Sequence, residues 1–200
     1  MIRGFDISEN NVPPDYDHVP HEVFRDAVDI GCKFVYVRAS WGDGHRDTQF
    51  IDNVNMAHSY GLKVGAYHYD YGFWPDDAAK QAKQCAKIIE DAGVLLELPV
   101  FYDMEDADHW KERHGFDFSR ENVTAMCKAW LENIGLNSGV YASYDWLNRL
   151  IDWRALGCPV WNAEWGHDDD LGGYVWQDTD RLYLGGQAVD GDWMYDESVF

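Results

Sequence analysis

The sequence predicts an α/β protein built on a closed barrel, and three observations carry that expectation. Five strand-like segments are each followed by a helical pattern, and three further strand-like segments crowd the last third with no helix between them. The chain has 200 residues, short of the roughly 250 of a regular eightfold α/β barrel. A barrel whose last third has lost its helices fits that length. The 46% hydrophobic content suffices for one sizeable core, and no Pro/Gly/Ser-rich linker interrupts it, so residues 1–200 are expected to form a single domain.

Ile2-Arg-Gly-Phe-Asp-Ile-Ser8 opens as a short strand that carries Asp6 to its end. Val19, Val23, Phe24, Ala27 and Val28 repeat at helical spacing and Gly31 closes that helix. Lys33-Phe-Val-Tyr-Val-Arg-Ala39 is a near-continuous apolar run, as in a strand covered on both faces. A second helix starts near Asp47 with Phe50, Ile51, Val54 and Ala57 on one face, and Lys63-Val-Gly-Ala-Tyr-His-Tyr69 follows as strand three. The third helix runs from about Asp76 to Asp91, with acids in its first turn where the helix dipole favours them. Strand four is Val100-Phe-Tyr-Asp-Met-Glu-Asp106. The fourth helix has Ser119 as N-cap, an apolar face from Val123 to Ile134, and Gly135 as its stop. Ser138-Gly-Val-Tyr-Ala142 is strand five and Tyr144 to Ile151 a short helix; Pro159 to Trp165, Gly173 to Gln177 and Gln187 to Asp190 are the last strands.

Strand four carries the chemistry. Strand side chains alternate between faces, so Asp103 and Glu105 share one side and Met104 takes the other. Two carboxyls in that relation suit glycoside hydrolysis, which needs one kept protonated to serve the leaving oxygen and one kept ionised to answer the charge developing at the sugar. In a barrel the site lies at the C-terminal ends of the strands. Those ends bear Asp6, Tyr67-His-Tyr69, Asp103, Glu105, Tyr141, Trp161 to Trp165, Gln177 and Asp190, so acids and aromatics converge on one mouth.

Composition narrows the partners. A formal charge of -20, from 36 acids against 16 Lys and Arg, argues against a nucleic-acid groove or an anionic membrane surface. Aromatic content is 16%, with 10 Trp and 12 Tyr, and flat aromatic faces dock the apolar faces of sugar rings. Cys32, Cys85, Cys127 and Cys158 show no metal-finger spacing and are expected to be small buried hydrophobes. No apolar run approaches the roughly 20 residues of a membrane span, and no signal peptide is visible.

Gly4-Phe-Asp-Ile-Ser8, Val37-Arg-Ala-Ser with Asp47-x-x-Phe50, Gly65-Ala-Tyr-His-Tyr69, Tyr102-Asp-Met-Glu105, Gly139-Val-Tyr141, Trp176-Gln177 and Val189-Asp190 together resemble, in order, the glycoside hydrolase family 25 lysozymes. The resemblance runs from Gly4 to about Asp192. It implies an irregular (β/α)5β3 barrel, a reduced TIM-like fold, acting as a single catalytic domain. It also implies hydrolysis of the β-1,4 bond between N-acetylmuramic acid and N-acetylglucosamine, as in a muramidase or the catalytic part of an endolysin. Carried over by position, Glu105 is the general acid, Asp103 its nucleophile or the stabiliser of an N-acetyl-assisted intermediate, and Asp6 and Asp190 the strand-one and final-strand acids. The family commonly has Asn where Asp192 stands, so Asp190 and Asp192 compete for that last role, and the strand pattern favours Asp190.

Tyr67, Tyr141, Trp161, Trp165 and Gln177 are the candidate substrate-binding residues, with Asn162 as a further hydroxyl or acetamido partner. His68 is expected to be a satisfied histidine beside the site, and His167-Asp-Asp-Asp170 a solvated loop. Trp110, Trp130, Trp146 and Trp153 fall on helices or their ends, where packing explains them. No cofactor and no metal is expected. The competing readings are a metal-dependent deacetylase of cell-wall sugars, with His68, Asp70, Asp103 and Asp6 as ligands, and a non-catalytic glycan-binding barrel. The expected partner is the glycan strand of bacterial peptidoglycan, met by a monomer outside the cell or at the wall, or after release from a host cytoplasm in the case of a phage endolysin. No repeat module is visible, which fits the catalytic part of a longer protein.

Overall fold

The computed structural model describes residues 1–199; Phe200, the last residue of the expected domain, lies outside them. The strands are β1 (Ile2–Ile7), β2 (Phe34–Trp41), β3 (His45–Arg46), β4 (Lys63–Tyr69), β5 (Val100–Asp103), β6 (Ser138–Ser143), β7 (Val160–Ala163), β8 (Val175–Leu184) and β9 (Gln187–Met194). All but β3 close into an eight-stranded barrel, in which β1 pairs with both β2 and β9. The turn of the barrel from β1 through β2, β4, β5, β6 and β7 to β8 is parallel, whereas β8–β9 and β9–β1 are antiparallel. β3 folds back on β2 as a short arm.

The helices α1 (His21–Asp29), α2 (Phe50–Ser59), α3 (Pro75–Ala92), α5 (Arg120–Asn133) and α6 (Tyr144–Arg149) follow the first five barrel strands, and the single turns α4 (Trp110–Arg113) and α7 (Trp153–Leu156) are additional. This is the expected reduced barrel. Ser119 caps α5, its Oγ accepting from the Asn122 backbone N–H. Gly93 ends α3 in the left-handed conformation that glycine adopts without strain.

The last two strands are longer than their apolar cores. Asp178, Asp180 and Arg181 hide the continuation of β8, because a solvated ribbon has no alternation to read. Gly185 and Gly186, at φ 59° and 81°, make a two-residue turn between the paired Leu184 and Gln187.

Alternation sorts the strand side chains into two cores. Phe5, Val35, Val37, Val64, Ala66, Val100, Tyr102, Met104 and Val140 point outward to the helices. Phe34, Tyr36, Phe101, Trp161, Val175 and Met194 fill the barrel interior. Tyr36 lies 4.7 Å from Trp161 and 5.3 Å from Phe101 between ring centroids, so the barrel is solid below its mouth.

Three glycines of the sequence motifs make room for those rings. A Cβ on Gly4 would stand 2.4 Å from the Phe34 ring, on Gly65 2.1 Å from the Tyr36 ring, and on Gly139 2.3 Å from the Pro159 carbonyl. Overfilling a close-packed interior costs about 1–3 kcal/mol. Gly65→Ala is therefore expected to lower unfolding stability by about that amount, read as a lower urea midpoint at unchanged slope.

Candidate active site

The inward positions at the C-terminal strand ends surround a cavity of about 270 Å³. Asp6, Arg38, Tyr67, Asp103, Tyr141, Gln177 and Asp190 line it from seven different strands, and Glu105, two residues beyond Asp103, lines it from the loop after β5. Met104 between them is buried in the outer core, as strand alternation requires. Asp190 sits directly across the ladder from Asp6.

Gln177 ties the acids to the aromatics. Its Nε2 donates to Asp6 Oδ2 (2.9 Å), and its Oε1 accepts from Tyr141 OH (3.1 Å) and Trp165 Nε1 (3.2 Å). Both ends of the amide are thus engaged by the protein, so Gln177 holds Asp6 and the rim rather than standing free for a sugar. Trp165, half exposed, lies on that rim. Trp161 is the cavity floor: it is 2% exposed, and its indole N–H donates to Asp192 Oδ1 at 2.9 Å. Asp192 is consequently sealed one layer below the mouth, and Asp190 is the final-strand acid on the cavity wall.

Two expected neighbours of the site face the other way. Asn162 lies on the outer face of β7, where its Nδ2 donates to Glu164 Oε2 and Asp169 Oδ1; alternation from the inward Trp161 dictates this. His68 is fully buried, stacked on Trp130 at 4.9 Å, and bonded through Nδ1 to Ser40 Oγ and through Nε2 to Gln81 Oε1. An amide oxygen only accepts, so Nε2 carries the proton and Nδ1 accepts from Ser40. Burial pushes His68 down to about 4, leaving a neutral structural residue. The ligand set His68, Asp70, Asp103 and Asp6 is therefore not brought together.

The cavity also includes residues that strand ends alone did not reveal. Ser8 caps the 3-10 turn Glu9–Asn11 and lines the cavity with Asn10 and Asn11 of that turn, Arg38 and Ala107 are further additions, and Tyr69, expected at the mouth, completes the wall. Arg38 Nε donates to Asp47 Oδ2 (2.9 Å) and its NH2 to Glu9 Oε1 (3.0 Å). Lys111, on the unforeseen turn α4, is 1% exposed and donates to the backbone carbonyls of Asp70 (2.6 Å) and Glu105 (2.7 Å). It clamps the loop that carries Glu105.

Burial is the first cause of every carboxyl shift at the mouth. It pushes Glu105 up to about 7, with the Lys111 ammonium pulling down and Asp190, Asp108 and Asp106 pushing up. Asp103 is held well above the usual carboxylate range by burial and then by Glu105, while Lys111 and Arg38 oppose. Asp6 is held up by burial and by Asp190 and Asp192, against the Gln177 hydrogen bond. Burial and then Asp180 push Asp190 up to about 6. The charged neighbours differ within the central pair: Lys111 and Arg38 offset Glu105 and Asp70 at Asp103, whereas Lys111 alone opposes Asp190, Asp108 and Asp106 at Glu105.

These shifts make the fold less stable as pH rises. Glu105 in the folded chain keeps its proton up to about 7, while the unfolded carboxyl releases it near 4.3. More protons are bound in the folded state across that window, so stability falls from pH 4 toward pH 7. Glu105→Gln is expected to raise Tm at pH 8 by about 2–6 °C, corresponding to about 1–3 kcal/mol, and to leave Tm at pH 4 unchanged. Thermal unfolding at the two pH values measures this; an equal change at both would refute the linkage.

The cavity is the centre of a longer trough. A flank of about 430 Å³ shares Asn10, Arg38, Tyr69 and Ala107 with it and adds Trp41, Tyr71 and Asp108. A flank of about 540 Å³ shares Glu105 and Ala107 and adds Phe118, Trp146 and Arg149. Trp146, expected only to pack, thus also lines the trough. A channel open on both sides of a carboxyl pair accommodates an inner bond of a polymer.

Residues 5–187 match the family model described as glycosyl hydrolases family 25. The chain is 24% identical over 204 residues to the N,O-diacetylmuramidase of Arthroderma benhamiae, covering 94% of this chain and 80% of that protein. It is 25% identical over 165 residues to the autolytic lysozyme of Clostridium acetobutylicum, covering 82% of this chain and 45% of that one. Among solved structures, the modular autolysin LytC of Streptococcus pneumoniae in complex with a synthetic peptidoglycan ligand superposes with a TM-score of 0.80 at 20% identity, over 96% of this chain and 46% of LytC. The chain thus spans about half the length of these last two proteins.

Proposed function

The chain belongs to the glycosyl hydrolases family 25, and from that premise we propose that Glu105 and Asp103 carry out N-acetylmuramidase chemistry on peptidoglycan, cutting the β-1,4 bond between N-acetylmuramic acid and N-acetylglucosamine. The observation that carries this reading is the carboxyl pair on the wall of a trough open on both sides. Residues 1–200 are read as one catalytic domain that acts as a monomer at the cell wall.

Glu105, protonated near neutral pH, gives its proton to the glycosidic oxygen as the bond breaks. In the working state the coupled pair keeps its proton on Glu105, and Asp103, which Lys111 and Arg38 help to ionise against its burial, faces the positive charge that grows on the sugar. Its Oδ1 is buried and has no hydrogen-bond partner among the described residues. It serves either as the nucleophile or as the partner of the substrate's own 2-acetamido group, the two routes that a muramic-type sugar permits. Asp6, oriented by Gln177, and Asp190 keep the mouth acidic, and Asp190 helps hold the proton on Glu105. Tyr67 and Tyr141 form the walls against which a sugar ring packs, and Trp165 the rim.

A bell-shaped pH dependence follows. On the alkaline side kcat/KM is expected to fall about tenfold per pH unit beyond about 7, where Glu105 loses its proton. On the acid side it falls as the ionised partner takes up a proton. Initial rates of reducing-end release from purified peptidoglycan between pH 4 and 9 measure both limbs, and a rate still rising at pH 9 would remove Glu105 from the role. With excess chelator kcat is expected to change less than about twofold, whereas a metal-activated water would be lost with its ion.

A further inference from the structure

We propose that the loop after β7 holds a divalent transition-metal cation of the zinc or manganese class through Glu164, His167 and Asp170. The ligating atoms of these three side chains all lie within 4.8 Å of one another, so a small inward shift brings them to the roughly 3.3–3.6 Å separation of ligands around a tetrahedral ion bound at about 2.0–2.2 Å. The run was expected to be a merely solvated loop, and the burial of Glu164 is what changes that reading.

Alternation along β7 turns Asn162 and Glu164 to the outer side of the barrel, away from the cavity. Glu164 is 4% exposed. Its Oε2 accepts from Asn162 Nδ2 (2.9 Å) and the Asp170 backbone N–H (3.0 Å). Its Oε1 has no hydrogen-bond partner among the described residues and points toward His167, whose Nδ1 donates to the Asp168 carbonyl oxygen (3.1 Å) and lies 3.6 Å from Oε1. The 3.6 Å separation is too long for a hydrogen bond but suits two ligands of one ion, which the ring joins by giving up its Nδ1 proton as the cation binds. A buried carboxylate oxygen left without a donor is costly, and a cation removes the cost.

The loop is already shaped to hold these groups. Asp169 accepts at Oδ1 from Asn162 Nδ2 and Leu171 N–H, and at Oδ2 from Gly172 N–H and Tyr195 OH. It is the brace of the loop, which leaves Asp170 and His167 to face Glu164. One imidazole nitrogen and two carboxylate oxygens suit zinc or manganese, with water completing the shell. Calcium prefers six to eight oxygens. Trp165 follows Glu164 directly and bonds Gln177 at the rim, so occupancy of this site would steady that rim while taking no part in the chemistry at Glu105.

Isothermal titration of the chelator-stripped chain with zinc, manganese and calcium salts tests this. One zinc per chain is expected, bound more tightly than calcium, and His167→Ala and Asp170→Asn are each expected to weaken zinc by at least about tenfold. Both positions are exposed, so neither variant endangers the fold, and circular dichroism checks that. Paired His18→Ala and His21→Ala changes, at surface histidines distant in sequence from this loop, are expected to leave zinc affinity unaltered. No stoichiometric zinc or manganese binding, a preference for calcium, or less than tenfold weakening in His167→Ala would each overturn the proposal.

Discussion

Glu105→Gln is expected to lower kcat on peptidoglycan by about 10²–10⁴-fold while leaving the affinity for a muropeptide glycan within a few-fold of the parent. Glutamine keeps the shape and polarity of the side chain and removes only the transferable proton. The wall it sits in does not depend on that proton, because Lys111 holds the backbone carbonyl of residue 105 and not its carboxyl. Reducing-end release gives kcat, and calorimetry with a soluble tetrasaccharide gives affinity. A variant as active as the parent would mean that Glu105 is not the proton donor. Loss of binding together with activity would instead make it a substrate-holding residue.

Asp103→Asn is the second large effect, an expected fall of about 10²–10³-fold in kcat with little change in KM. Asp103 is 5% exposed and feels the Lys111 and Arg38 charges against those of Glu105 and Asp70. Removing its charge takes away the carboxylate proposed to answer the oxocarbenium-like transition state, which matters only as the bond breaks. The measurement is a kcat and KM pair at the pH optimum. A change confined to KM would assign Asp103 to ground-state binding.

Most of the barrel was legible because its signals are local and periodic. Apolar runs bounded by glycine located the eight barrel strands, and alternation alone placed Asp103 and Glu105 on one side with Met104 on the other. The solvated half of the β8–β9 ribbon was hidden because Asp178, Asp180 and Arg181 break the apolar run. Lys111 was missed because the single-turn helix that presents it has no period to detect. Gln177 and Asn162 show the limit at the site: residue type made both candidate sugar partners, but their amides are engaged by Asp6, Tyr141 and Trp165 in one case and by Glu164 and Asp169 in the other. Those partners come from other strands or from the following loop, so only the assembled barrel reveals them. The choice between Asp190 and Asp192 likewise turned on depth, which Trp161 sets by capping Asp192 from above.

The most direct test of the central claim is the identity of the sugar at the new reducing end. Purified peptidoglycan digested with this chain, reduced with borohydride and hydrolysed in acid is expected to yield muramitol, at levels that Glu105→Gln does not produce. Glucosaminitol in its place would mean that the neighbouring glycosidic bond is cut. The appearance of neither alcohol, with free acetate released, would mean that the chain is a deacetylase and that the carboxyl pair does not act as a glycosidase.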